Sequence, residues 1–250
     1  MFERSEMNFK FSEIRVLETG YNTAPWNMAL DEVLMNGVND MPVLRLYGWK
    51  PPAVSIGYFQ SMEEEVDVKK CKNIGIEVVR RITGGGAVLH DSELTYSFMT
   101  TKYPQNIMES YKLICDAIVV CINKLGFDAK FAPLNDIIVN GKKVSGNAQT
   151  RKKGTLLQHG TILLDVNVEK MFSILKVPSE KIRDKIITDV KERVMGVNKT
   201  FQEVAFALKE GFSEKFDARL IIDKLTIEEE YNANKLAKEK YAKDEWNWKR

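Results

Sequence analysis

Histidine and cysteine are scarce in this 250-residue chain, numbering two and three. Three cysteines, Cys71, Cys115 and Cys121, with no Cys-x-x-Cys pair offer neither a disulfide framework nor a zinc-ligand set, and reduced thiols suit a cytoplasmic address. His90 and His159 have no spaced Cys or Asp partners, which gives a metal site little support. Charge of one sign is also missing: 37 Lys plus Arg stand against 35 Asp plus Glu, and a formal +2 creates no field to gather a polyanion. Nucleic acid is therefore not an expected partner. No apolar run approaches the roughly 18 residues of a membrane span, and the start, MFERSEMNFKF, lacks the apolar core of a signal peptide. Repeats, low-complexity tracts and flexible linkers are absent as well. With 44% hydrophobic residues the chain can bury one large core. A single domain over residues 1–250 is expected, its core at about 15–222 and a helix and tail at 226–250.

Punctuation residues divide the rest. Asn22 or Thr23 caps a helix that Pro25 opens and Gly37 closes. Val43 to Tyr47 and Ala53 to Gly57 read as strands joined by a turn at Lys50-Pro51-Pro52, and a short helix with acidic start Glu63 and basic end Lys70 leads to a strand over Ile76 to Ile82. Leu94 to Thr100 is a further strand. Ile107, Tyr111, Ile114, Ile118, Cys121, Ile122 and Leu125 then recur at helical spacing up to Gly126. Asn140-Gly141 between Asp136 to Val139 and Lys142 to Asn147 is a strong hairpin signal, because a type I′ turn needs positive φ at both central residues. A polar loop, Thr150 to Gly154, precedes a strand over Leu156 to Leu164. Helices follow over Val168 to Leu175, Ser179 to Ile187 and Thr200 to Phe212, then a strand over Arg219 to Ile222. Thr226 and Glu229 form a capping box for a last helix to about Tyr241. Strands without regular strand-helix alternation predict an α+β fold, a mixed sheet flanked by helices, over a doubly wound parallel one.

Chemistry concentrates in two stretches. Arg80 to Asp91 reads RRITGGGAVLHD. Gly84, Gly85 and Gly86 fall between strands, which fits neither a Walker A loop nor a dinucleotide fingerprint. Three glycines let backbone N–H groups approach a phosphate, with Arg80 and Arg81 as neighbouring positive charge; a flexible hairpin with solvated arginines is the competing reading. In the second stretch, alternation sends Lys143, Ser145 and Asn147 to one strand face and Val144 to the other. Lys143 is either solvated or bridges a carboxylate and a phosphate, offsetting charge that develops between them. Small residues Gly146 and Ala148 suit a close ligand, Asn135-Asp136 could orient one or accept Mg²⁺ accompanying ATP, and Thr150 to Lys153 is a short basic loop, solvated or phosphate-neutralising.

RRITGGGAVLHD, NDIIVNGKKVSGNAQ and LLQHGTILL, in that order, resemble the lipoate-protein ligase A branch of the biotin and lipoate ligase family over about residues 15 to 200. The resemblance implies a catalytic domain like that of class II tRNA synthetases, using ATP and Mg²⁺. Lipoate, or octanoate, would become an acyl-adenylate and pass to a lysine on the lipoyl domain of a 2-oxoacid dehydrogenase E2 or on the glycine cleavage H protein. Carried over by position, Arg81 and the run Gly86, Ala87, Val88 and Leu89 would contact nucleotide and acyl chain, and Lys143 would touch phosphate and carbonyl. Thr83, Gly84, Gly85, His90, Asp136, Gly146, Ala148 and His159 complete the expected site, with Asp136 toward Mg²⁺.

This sequence departs from the pattern twice. Two-domain relatives carry a sizeable accessory domain after the catalytic one, whereas only a capped helix and the tail DEWNWKR follow the strand ending at Ile222. The chain thus resembles the large half of a bipartite ligase whose small accessory subunit is separate. Relatives that transfer octanoyl groups through a cysteine thioester need a thiolate, and no cysteine follows Cys121. An ATP-independent octanoyl or lipoyl transferase and a non-catalytic lipoate-binding module are the alternatives. Biotin ligation is disfavoured by the lack of a GRGRxGR-type loop.

Overall fold

A computed structural model describes residues 9–177 and 183–250. Eleven strands among these form two sheets: β1 Glu13–Asn22, β2 Val43–Trp49, β3 Ala53–Ile56, β4 Glu77–Arg80, β5 Val88–His90, β6 Glu93–Thr100, β7 Ala129–Ala132, β8 Asp136–Val139, β9 Lys142–Lys152, β10 Thr155–Leu163 and β11 Arg219–Asp223. The larger sheet runs β11-β1-β2-β6-β10-β9-β8-β7, and the smaller β4-β3-β5. β1 lies parallel to both β11 and β2, while the β2-β6-β10-β9-β8-β7 pairs are antiparallel. The sheet is thus mixed, as expected. The expected turn at Lys50 to Pro52 carries the chain from the large sheet to the small one, where β3 pairs with β4 and β5.

Helices flank the large sheet: α1 Ala24–Gly37, the short α2 Met62–Glu65 and α3 Val68–Asn73, α4 Ile107–Lys124, α5 Val168–Ile174, α6 Arg183–Arg193, α7 Phe201–Phe216, α8 Ile227–Leu236 and α9 Asp244–Asn247. The expected helix from Ser179 begins outside the described residues. Successive strand residues face opposite ways, so Leu44, Leu46, Tyr96, Phe98 and Leu156 join the core under α4 and α7. Their neighbours Val43, Met99 and Leu157 pack with Leu30, Leu34 and Met35 of α1. Asn106 caps α4 through bonds from Met108 and Glu109 N–H, and Thr200 and Thr226 close capping boxes with Glu203 and Glu229. Asn140 and Gly141 take φ of 50° and 77°, the values a type I′ turn requires. No helix among the described residues is long and apolar enough to cross a membrane.

Candidate active site

On the α1 side of the large sheet, Tyr47, Trp49, Thr95 and His159 face Ser55, Val88, Leu89 and His90 of the small sheet across a cavity of about 340 Å³. That volume suits a small-molecule site. Lys143, Gly146, Asn147 and Ala148 of β9 and Gly85, Gly86 and Ala87 of the glycine loop complete its polar and small-residue walls. The two stretches singled out in the sequence therefore meet here. Thr83, Gly84 and Asp136 do not line the cavity; they act on residues that do.

Arg81 organises the loop. Its five guanidinium N–H groups donate to Ser55 O and Oγ at 3.0 Å each, Thr83 Oγ1 at 3.1 Å, Gly84 O at 2.8 Å and Gly86 O at 2.7 Å. Burial lowers its pKa to about 10, still charged at neutral pH. Arg81 lines the cavity with its donors committed to loop and strand, which revises the expectation of a guanidinium open to phosphate. The loop itself comes so close to β3 that a Cβ on Gly57 would sit 2.0 Å from Gly85 O. Arg80, one residue earlier on the strand, points the opposite way. It is fully buried, donating to Gly57, Tyr58 and Gln60 carbonyls and to those of Trp246 and Asn247 in the C-terminal segment. The predicted pair of charges beside the glycines is therefore one charge, because alternate strand residues face opposite sides.

Both histidines join a carboxylate to a hydroxyl. His90 Nδ1 lies 2.6 Å from Glu93 Oε1 and Nε2 2.7 Å from Ser55 Oγ, and its ring stacks on Trp49 at 4.0 Å. Since a carboxylate only accepts, Nδ1 carries the proton and Nε2 accepts from Ser55. Thr95 Oγ1 donates to the same Glu93 oxygen and receives Trp49 Nε1–H, whereas buried Glu93 Oε2 has no partner. His159 Nδ1 lies 3.2 Å from Asp31 Oδ2 and Nε2 2.7 Å from Thr83 Oγ1. Burial pushes the His159 pKa down despite Asp31, so this ring is neutral. Asp31 Oδ1 accepts from Arg45 Nη1 at 2.6 Å and Ser97 Oγ at 2.7 Å. Burial raises the Asp31 pKa, but Arg45, His159 and Ser97 more than offset it and hold the carboxyl below its usual value.

Lys143 Nζ lies 2.7 Å from Asp136 Oδ1, a contact off the hydrogen-bond axis that leaves this oxygen without a bonded donor. Gly146 makes room for the ammonium, since a Cβ there would stand 2.8 Å from Lys143 Nζ. The expected alternation fails locally: the register of β9 against β8 shifts between Ile137 and Ile138, leaving Val144 unpaired as a bulge. Ser145 is buried outside the cavity lining, while Lys143 and Asn147 line it. Asn135 lines it too, and Asn147 Nδ2 donates to its carbonyl at 2.8 Å. Thr150 to Lys152 continue β9 rather than forming a loop, and none of Thr150 to Lys153 lines the cavity. All three cysteines are buried away from it; burial raises Cys71 to about 11, Cys115 to about 12 and Cys121 higher still.

Ser55, Glu93, Trp49, Asp31 and Arg45 were missed in the sequence. Three of them left a faint mark: Glu93 follows His90 by three residues, and Asp31 and Arg45 interrupt apolar surroundings.

A mixed sheet flanked by helices, with this loop-and-lysine cavity, has the architecture of a catalytic domain of the lipoate ligase type. The chain belongs to the family whose model, the lipoyl protein ligase A/B catalytic domain, matches residues 23–213. Among curated relatives, octanoyltransferase LipM of Kyrpidia tusciae is 40% identical, the match covering 94% of this chain and 98% of the relative. The LipM of Bacillus subtilis is 36% identical with the same coverage. A bipartite lipoate protein ligase of Thermoplasma acidophilum, solved with its E2 lipoyl domain as an archaeal lipoylation system, matches with TM-score 0.90 and 36% identity over 95% of this chain and 97% of its own. A lipoate-protein ligase A bound with ATP matches with TM-score 0.85 and 33% identity, covering 94% and 98%.

Proposed function

We propose that this protein joins lipoate, or octanoate, to the lysine of a lipoyl carrier domain by way of an acyl-adenylate made from ATP. One observation carries the reading: Lys143 stands at the cavity wall beside the glycine loop, while every cysteine lies off the cavity with its thiol pKa raised. A cysteine-thioester route needs a thiolate beside the acyl group. Adenylation needs a cation where carboxylate oxygen attacks the α-phosphorus and pyrophosphate leaves, and Lys143 supplies it. The carrier amine then attacks the carbonyl and AMP departs. Among the described residues no three His, Cys, Asp or Glu side chains group as a metal site. Asp136 Oδ1 is buried off the cavity and paired with Lys143 Nζ at 2.7 Å, so Asp136 fits the holding of Lys143 better than the expected ligation of a Mg²⁺ carried in on phosphates. The ion would neutralise phosphate charge; Lys143 and the loop amides would bind and orient.

The likeness to a bipartite ligase solved with an E2 lipoyl domain supports a separate accessory subunit and an E2-type lipoyl domain as acceptor, with the H protein as the second acceptor that the sequence resemblance implies. Lipoate-dependent pyrophosphate release and the mass of a lipoyl domain after incubation with lipoate, ATP and Mg²⁺ test the reading, with and without a small ligase subunit. Lys143→Ala is expected to slow both about 10²–10³-fold. Undiminished pyrophosphate release in that variant, or none from the wild-type protein under either condition, would overturn it. The relatives named octanoyltransferase favour a second reading, in which the acyl group arrives already activated as a thioester.

A further inference from the structure

Ser55, His90 and Glu93 form a nucleophile, base and orienting acid in one line on the cavity wall, and we propose that Ser55 accepts a medium-chain acyl group from a thioester donor without ATP. The proposal rests on the cavity being the acyl site and not on the adenylation step. Ser55 Oγ to His90 Nε2 is 2.7 Å and His90 Nδ1 to Glu93 Oε1 is 2.6 Å, the distances over which a serine is activated through an imidazole held by a carboxylate. All three residues line the cavity. Two further contacts tune the line. Arg81 Nη1 donates to Ser55 Oγ at 3.0 Å, so fixed positive charge faces the oxygen as it loses its proton, and Thr95 and the stacked Trp49 hold Glu93 and the imidazole in place.

The parallel line Asp31, His159 and Thr83 serves as an internal comparison. It also ends on a hydroxyl bonded to Arg81, by Nε at 3.1 Å, but Thr83 is buried off the cavity and no acyl group can reach it. His159 lines the cavity, but only the Ser55 line ends on a hydroxyl that faces the ligand space. It provides an oxygen nucleophile in a cavity that no cysteine lines, which reconciles the octanoyltransferase relatives with the buried thiols.

In the first half-reaction Ser55 Oγ bonds to the thioester carbonyl carbon, its proton passes to His90 Nε2, the C–S bond breaks, and the leaving thiolate takes that proton. In the second, the neutral amine of the carrier lysine bonds to the same carbon, the C–Oγ bond breaks, and one amine proton returns through His90 to Ser55 Oγ. The products are an amide and free enzyme, with no redox change.

Intact mass spectrometry after rapid quenching of the full chain with octanoyl-coenzyme A, in the absence of ATP, tests this. The wild-type protein is expected to gain one octanoyl group, mapped to Ser55 by peptide fragmentation. Ser55→Ala gains none, His90→Asn acylates at least ~100-fold more slowly, and Ser55→Cys gains a thioester that neutral hydroxylamine removes. Thermal melts establish which variants fold, and Ser55→Cys decides the matter should Ser55→Ala not fold. An unmodified wild-type protein, an adduct elsewhere in the chain, or acylation surviving in Ser55→Ala would overturn the proposal. Lipoate-dependent pyrophosphate release, measured on the same preparation, reports separately on the adenylate route, so either reading can fail without the other.

Discussion

Arg81 shows how a charged side chain can define a ligand site without being free to bind the ligand. Five N–H donors in a rigid fork reach two carbonyls of the glycine loop, Thr83 Oγ1 and both oxygens of Ser55, so one residue ties the loop to β3. The three cysteines, all off the cavity, have the opposite character. Their thiols are desolvated and protonated at neutral pH, Cys71 and Cys115 at about 11 and 12. A variant with Cys71, Cys115 and Cys121 all replaced by alanine is therefore expected to keep its acyl-transfer activity while losing on the order of 1 kcal/mol of stability per site. Transfer assays on that variant check the point, and loss of activity in folded protein would put a thiol back into the mechanism.

The interface between α1 and the large sheet carries a buried charge network that the amphipathic pattern of either element alone does not announce. Asp31 of α1 meets Arg45 of β2, Ser97 of β6 and His159 of β10. His159 is held neutral by burial, its pKa below the ordinary 6.5, so the unfolded chain binds a proton more readily. Its contribution to stability is present above pH 6.5 and is lost as pH falls below it. Asp31, depressed below 3.8, adds a second loss at lower pH. The urea midpoint is expected to drop steadily from pH 7 to 5 and again below pH 4. A midpoint flat between pH 7 and 5 would show that His159 does not couple to folding in this way.

The C-terminal segment, which the sequence offered only as a capped helix and a tail, is packed into the catalytic body of the molecule. Its α8 runs into a π-helical turn at Ala237–Tyr241 that brings Lys240 and Tyr241 to Glu32, and α9 presents Asn247 to Arg80. Arg80 would otherwise be a buried cation short of acceptors. Because Asn247 Oδ1 accepts Arg80 N–H at 2.8 Å and its Nδ2 donates to Tyr241 O at 2.9 Å, Asn247→Ala is expected to cost about 1–3 kcal/mol. At this chain length that lowers the melting temperature by roughly 2–12 °C, measurable by calorimetry. An unchanged melting temperature would mean that water replaces both bonds.

By itself the sequence determined the mixed-sheet class, the capping box at Thr226, the Asn140-Gly141 turn and the two stretches that meet in the cavity. These are legible because they depend on local φ preferences, hydrophobic periodicity and ordered motifs. Only the tertiary structure decided which arginine faces the site, that the β9 bulge turns Ser145 away from Lys143, and that Ser55 reaches His90 across strands separated in the chain. Those outcomes depend on side-chain direction and on pairing between distant segments, and the physical reason they stay hidden is that a one-residue change of strand register reverses the face each side chain occupies.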